Sequence, residues 1–388
     1  MSVAPMSRRE ALRHWVMTGL LACVLSGCPA SPPPTAPGTP GTPTTPTPTT
    51  STGELKRIIL LTNGDDPFWD TCFRGMQQAE TDLKLAEAGF KVVIDKPDFT
   101  ETKQISMLKQ YASQSDVAAV AISPVNAFNK SIAESMQALR DKGIPVICLD
   151  SDMSQELRTA RSCYLGTNNL VAGGELGKCA KGLMASGNYA TFVGKTDVQN
   201  AIERIGGFGQ GAGEGFVSKD SLGDDADRSR AQQNVKTVLD NHPDVNCLVG
   251  IWAYNAHQIV QVVKDRNIRE QTKVLVFDAA SDALADMDKG LIDAMVVQNP
   301  YQMGYDGTKI MKALVEMDGV TLQGIYPSYD PKLGTFGGEG GDVYTTELRV
   351  VVPNDKSPLK PDMFDSKTKF FYIPDFRTWL SERKLKNS

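Results

Sequence analysis

The sequence is 388 residues long, 41% hydrophobic and 22% charged, with a formal net charge of -5 and a pI near 5.4. That length exceeds one ordinary domain and suits two lobes with accessory segments, and the apolar fraction is enough to bury a sizeable core. The acidic balance excludes the basic face that nucleic acid requires, and beyond the N-terminal segment no run approaches the roughly 20 apolar residues of a membrane span.

In chain order, Arg8, Arg9 and Arg13 form a positive start, and His14 to Ser26 is mostly apolar but short for a span. Leu25-Ser26-Gly27-Cys28 follows at once. This pattern predicts a signal peptide over residues 1–28. Its ending resembles a bacterial lipobox, which implies that Cys28 is lipidated and becomes the first residue of the mature chain. Pro29 to Gly53 is almost entirely Pro, Thr, Ser and Gly. Such a stretch cannot bury enough apolar surface to offset its ordering entropy, so residues 29–54 are expected to be a disordered tether.

From Leu55 short β-branched runs alternate with longer amphipathic ones. Strands are predicted at Arg57–Thr62, Lys91–Asp95, Val117–Ser123, Pro145–Asp150, Ser162–Gly166, Tyr189–Val193, Cys247–Ile251, Val274–Phe277 and Ala294–Gln298. Helices are predicted at Phe68–Lys84, Glu101–Ser115, Asn126–Lys142, Val171–Ser186, Ala201–Val217, Ala226–Asn241, Ala256–Arg266, Ser281–Lys289 and Tyr301–Met317. The strand runs are continuously apolar, as a sheet covered on both faces requires. Their alternation with helices predicts an α/β fold built on parallel, doubly wound sheets. Cys72, Cys148, Cys163, Cys179 and Cys247 are odd in number and irregularly spaced, which fits buried free thiols better than a disulfide framework. His242 and His257 lack partners at ligand spacing, so no metal site is expected.

Ligands of such sheets bind beyond the carboxyl ends of the strands. Polar and aromatic residues collect there. The first predicted strand is followed by Asn63-Gly64-Asp65-Asp66-Pro67-Phe68-Trp69, the third by Ser123, Pro124 and Asn126, and the fourth by Ser151-Asp152 after its final Asp150. Trp252 and Asn255 follow the Cys247 run, Asp278 follows Phe277, and Gln298-Asn299 close the Ala294 run.

These residues carry a resemblance. Asp65-Asp66-Pro67-Phe68-Trp69, Ile144 to Asp150, Glu203-Arg204 with Gly207-Phe208, His242-Pro243-Asp244-Val245, Val276-Phe277-Asp278 and Val297-Gln298 stand in the order found in ribose- and galactose-type periplasmic binding proteins. The chain resembles that type I solute-binding family over about Leu55 to Pro353. The resemblance implies two lobes on a hinge: an N-terminal lobe of residues 55–166 and 299–317, and a C-terminal lobe of residues 167–298. Residues 318–388 are left as closing strands and a C-terminal extension. It implies that Asp66 bonds sugar hydroxyls, that Phe68 and Trp69 stack on the sugar, and that Asp150, Arg204, Asp278 and Gln298 make charged or amide contacts, with Asn200 a more variable one. Carboxylates accept hydroxyl protons, a guanidinium donates through a planar fork, and aromatic rings cover C–H faces.

The chain also departs from the family. Trp252 and Ala253 stand where an Asn-Asp pair is frequent, with Asn255 one turn on as a substitute. Ala226 replaces an aromatic before Asp227-Arg228, and Ser123 stands where a ribose binder tends to carry an amide. One aromatic wall is therefore expected to have moved, and the sugar is left unspecified.

The glycines of Gly206–Gly215 lack dinucleotide-motif spacing, no Gly-x-Ser-x-Gly is present, and a signal peptide occupies the place of a repressor's DNA-binding headpiece. The implied protein is a monomeric, non-enzymatic sugar binder without cofactor. It is exported, anchored to the membrane through its lipid, makes no nucleic-acid contact, and serves an ABC permease. The alternative partner is a chemoreceptor or histidine kinase that senses the closed form.

Overall fold

The structure, a computed structural model, describes residues Glu54–Ser388. The predicted signal peptide, Cys28 and the tether as far as Gly53 lie outside the described residues.

The chain opens with β1 (Lys56–Leu61), α1 (Pro67–Asp82), β2 (Phe90–Asp95), α2 (Glu101–Ser113), β3 (Val117–Ile122), α3 (Lys130–Arg140), β4 (Val146–Asp150) and β5 (Tyr164–Gly166). It continues through α4 (Asn169–Leu183), β6 (Gly187–Val193), α5 (Gln199–Ala212), β7 (Phe216–Gly223), α6 (Arg228–Asn241), β8 (Cys247–Gly250), α7 (Asn255–Asp265), β9 (Lys273–Phe277), α8 (Ser281–Asp288) and β10 (Ala294–Val297). The remainder holds α9 (Pro300–Glu316), α10 (Gly319–Ile325), β11 (Tyr329–Asp330), β12 (Thr335–Phe336), β13 (Val343–Thr345), β14 (Arg349–Val352), β15 (Lys369–Tyr372) and α11 (Ile373–Glu382).

Two large sheets and a separate antiparallel β11–β12 pair organise these elements. The first is six-stranded, in the order β13-β5-β4-β3-β1-β2, and parallel throughout. The second is seven-stranded, in the order β15-β14-β10-β9-β8-β6-β7, and only the β10–β14 pair is antiparallel. Helices cover both faces of each, so a central strand such as β3 buries every side chain of its VAAVAI run. The fold is α/β, with two doubly wound parallel-sheet lobes. α9 returns to the first lobe and packs Met303, Ile310 and Met311 against Ile58 and Leu149. The five cysteines of the described residues are buried and unbonded.

Sequence and structure part in two places. The predicted helix 201–217 ends at Ala212, where Gly213 takes a φ of 80° that L side chains rarely adopt. The next residues form β7, a strand with no apolar run. It lies at the edge of the second sheet, and only Phe216 of it is buried. The second place is the tail, expected only as closing strands and an extension, which holds β14, β15 and α11 on the second lobe. β14 slots beside β10, and α11 buries Ile373, Phe376 and Leu380 in the second-lobe core.

The chain crosses between lobes after β5, after β10 and after β13. The crossings are tied side by side: Thr346 donates from its backbone and hydroxyl to the Gly166 carbonyl (2.8 and 3.2 Å), and Thr167 Oγ1 donates to Gln298 Oε1 (2.8 Å). The final residues make a further bridge. Ala279 N donates to Ser388 O (2.7 Å) and Ser281 Oγ to Lys386 O (3.0 Å), both on the second lobe. Between them Asn387 faces α1 of the first lobe, accepting from Thr71 Oγ1 at 2.8 Å and donating to Pro67 O at 3.0 Å. Each neutral hydrogen bond is worth about 0.5–1.5 kcal/mol net. Asn387→Ala should therefore shift the lobes toward separation and enlarge the radius of gyration in solution scattering. An unchanged radius would show that the bridge does not hold them.

Candidate ligand-binding cleft

The strand ends of both lobes face one shared, partly open space of about 380 Å³, placed beyond the carboxyl ends of the strands where ligands of such sheets bind. Each lobe contributes an aspartate in the same backbone geometry. Asp150 ends β4 and Asp278 follows β9, with φ of 69° and 61°. Among non-glycine residues Asn and Asp are the ones that tolerate this left-handed region, and such conformations persist where the surroundings hold them. Tyr164 Oη does so for Asp150, donating to its carbonyl at 2.9 Å, and the Asp278 amide donates to Val296 O at 2.8 Å.

Arg204 lies between the two carboxylates. It projects from α5, which packs so tightly on α4 that a Cβ at Gly173 would meet the Arg204 carbonyl at 2.2 Å. Gly207 and Gly211 make the same close approach from α5, where a Cβ would fall 2.2 Å from the Leu170 carbonyl and 2.1 Å from the Gly174 carbonyl. Arg204 Nε donates to Asn169 Oδ1 (2.9 Å), Nη1 donates to Ile251 O (3.2 Å), and the guanidinium stacks on Phe277 at 4.7 Å. Its Nη2 stands 3.6 Å from Asp150 Oδ1, and its Nη1 stands 3.9 Å from Asp278 Oδ2. Arg204, Asp150 and Asp278 are 1%, 4% and 3% exposed, yet Nη2 and Asp150 Oδ1 have no hydrogen-bond partner. Buried charged groups in that state are costly unless something supplies the missing bonds.

Burial is the main reason that the Asp150 and Asp278 carboxyls are each pushed up to about 6, with Arg204 opposing it. Asp66, which caps α1 by accepting from Phe68 N at 2.9 Å, is likewise raised to about 6 by burial against that bond. Gln298 donates to both oxygens of Asp278 at 3.2 and 3.1 Å. Asn200 donates to Asp150 Oδ2 across the cleft (3.1 Å) and accepts from Trp252 Nε1 (3.2 Å). Phe68 and Trp69 meet edge to face at 4.9 Å, and Trp69 Nε1 donates to Asn63 Oδ1 at 3.0 Å.

Asp66, Phe68, Trp69, Asp150, Asn200, Arg204, Trp252, Asp278 and Gln298 all line this space. Ser123 and Asn255 do not. Ser123 is fully buried at the end of β3, and its carbonyl accepts from Gln104 Nε2 at 2.8 Å. Asn255 starts α7 and turns away, donating to Asp224 Oδ2 at 2.9 Å and accepting from Trp252 N at 3.1 Å. It braces the Trp252 loop, as does the Tyr254 hydroxyl bonded to Asp224. Asn63, Phe99 and Ala253 also line the space, although the sequence reading did not assign them to it. Asn63 lay within the quoted loop, whereas Phe99 sits in a polar loop with no motif around it. Acceptors, the Arg204 donor fork and flat apolar rings converge on this space.

The family model described as periplasmic binding protein domain matches residues 58–319. A glucose-galactose binding protein from Geobacillus stearothermophilus superposes with a TM-score of 0.65 at 24% identity, covering 78% of this chain and 99% of its own. An ABC transporter solute-binding protein from Burkholderia graminis, solved with D-arabinose, is 25% identical with a TM-score of 0.64, covering 81% and 98%. Another from Agrobacterium vitis, with bound D-fucose, reaches 0.66 at 18% identity, covering 79% and 98%. Among curated proteins none matches.

Proposed function

This chain belongs to the periplasmic binding protein family, and we propose that it is the exported, lipid-anchored binding component of an ABC-type importer, closing its two lobes on one small sugar. The observation that carries this is the Asp150–Arg204–Asp278 array with its unpartnered oxygen and nitrogen. Vicinal hydroxyls supply both what a carboxylate lacks and what a guanidinium lacks, and the rings of Phe68, Trp69 and Trp252 suit C–H faces. The arabinose-bound relative at 25% identity supports the sugar class. Hinge closure around a ligand is the known mode of periplasmic binding proteins. A sugar that touches Asp150 on one lobe and Arg204 on the other binds the closed form better and so populates it. The permease then receives the closed form. A thermal-shift screen against pentoses, hexoses and polyols tests the reading: at least one should raise the melting temperature saturably. A flat response across the panel sinks it.

Two predictions belong to this reading. The first concerns pH. Burial pushes the three carboxyls up to about 6, and each must be ionised to accept two hydroxyls, so affinity should be full above that value and fall as pH drops through it. Calorimetric titration at pH 7.5 and pH 5 should show weaker binding at pH 5. Equal affinity would mean that these groups do not bind as carboxylates. The second concerns the anchor. With Leu25-Ser26-Gly27 before it, Cys28 is the proposed lipidation site. In a bacterium that processes lipoproteins, wild type should fractionate with membranes and Cys28→Ser should not. A wild-type protein found wholly in the soluble fraction refutes the anchor.

A further inference from the structure

We infer that Phe99, carried by the first lobe, is the displaced aromatic wall of the site, and that it limits the ligand to a single unextended sugar ring. The inference rests on the sugar-site reading above and adds what sets the ligand's size. Phe99 lies between β2 and α2 and takes a φ of 60°, which bulky residues seldom occupy. Such strain persists only where neighbours over-determine it, and here they do. The Phe99 ring is pressed against Gly64, where a Cβ would fall 2.2 Å from it. Its other partner is Trp252 of the second lobe, with ring centroids 6.2 Å apart and planes inclined by 25°. Trp252 is seated in the same way, since a Cβ at Gly194 would lie 2.0 Å from its ring. Two glycines, one on each lobe, thus make room for two rings that meet across the cleft.

The second lobe shows what this replaces. At Ala226, where the resemblance leads one to look for an aromatic, only a methyl is present. Phe99 and Ala226 both pack against the same second-lobe cluster that contains Trp252. The ring missing from one lobe is supplied by the other. Two consequences follow from that origin. The wall is complete only when the lobes are together, so a ligand that holds them apart loses it. And because Phe99 and Trp252 both line the cavity and stack on each other, they close its side. A monosaccharide fits behind them, whereas a glycosidic substituent pointing that way meets the rings.

Phe99→Ala and Phe99→Tyr test this by calorimetric titration with the monosaccharide that wild type binds best and with disaccharides containing it. Phe99→Ala should weaken the monosaccharide about tenfold, as loss of a stacked ring does, and should gain measurable disaccharide binding. Phe99→Tyr should keep wild-type selectivity. Without any ligand, Phe99→Ala should also alter the near-ultraviolet circular dichroism through Trp252. Wild-type affinities in Phe99→Ala, or a wild type that takes disaccharides as tightly as the monosaccharide, overturn the inference and leave the sugar site standing. A wild type that binds no sugar of either size overturns both.

Discussion

Asp150→Asn and Asp278→Asn should each abolish sugar binding while leaving the empty protein as stable as wild type or more so. Each carboxylate is placed to accept two hydroxyls, and a hydrogen bond to a charged group is worth about 1.5–3 kcal/mol. Losing two lowers affinity by roughly 10²- to 10⁴-fold. Stability moves the other way. Both carboxyls are raised to about 6 in the folded state, chiefly by burial, so folding favours their protonated forms. Above pH 6 the ionised groups therefore cost stability, and that cost fades as pH falls toward the ordinary carboxylate range. Asparagine removes the charge, keeps the shape and tolerates the left-handed backbone at both positions, which makes it a cleaner replacement than alanine. Titration and thermal melts at pH 7.5 give both readouts. Wild-type affinity in both variants would place the site elsewhere, and a large drop in melting temperature would show that the carboxylates serve the fold instead.

What was legible in the sequence follows from how each part is stabilised. β1, β3, β4, β8, β9 and β10 are covered on both faces, so burial writes itself as an apolar run. β7 sits at an edge with mostly exposed side chains, and its polar FVSKDSLG run carries no such mark. β14 carries a fully buried RVVV run, whereas β15, at the other edge of that sheet, has no fully buried side chain. The site divides along the same line. Asp66, Asp150, Asp278 and Gln298 sit at strand ends or helix starts, places that topology itself points toward the cleft. Ser123 and Asn255 occupy equivalent places but do not reach the cleft: the Ser123 hydroxyl is buried without a partner, and Asn255 donates to Asp224 instead. Phe99 enters the site because the lobes are together, a contact that exists only in three dimensions.

Arg204→Ala should be the most damaging single change in the cleft, to folding as well as binding. The side chain is buried between two carboxylates and is the only cation lining the cavity among the described residues. Removing one partner of a buried charge group typically costs about 3–5 kcal/mol, because the groups left behind stay buried without compensation. Arg204 is what opposes burial at both Asp150 and Asp278, so its loss drives both carboxyls further above 6. The sign then gives a discriminating pattern. With folded-state values raised further, the folded protein holds more protons than the unfolded chain at pH 5–7, and stability falls as pH rises through that window. The deficit of Arg204→Ala relative to wild type should therefore be large at pH 7.5 and smaller at pH 5, where the carboxyls are protonated. Arg204→Lys should not restore binding, since an ammonium cannot serve Asn169, the Ile251 carbonyl and the ligand side of the cleft from one planar fork. Melting curves at the two pH values decide the matter. A deficit that is the same at both, or larger at pH 5, would mean that Arg204 acts through packing on Phe277 and α4 and not by balancing the two aspartates.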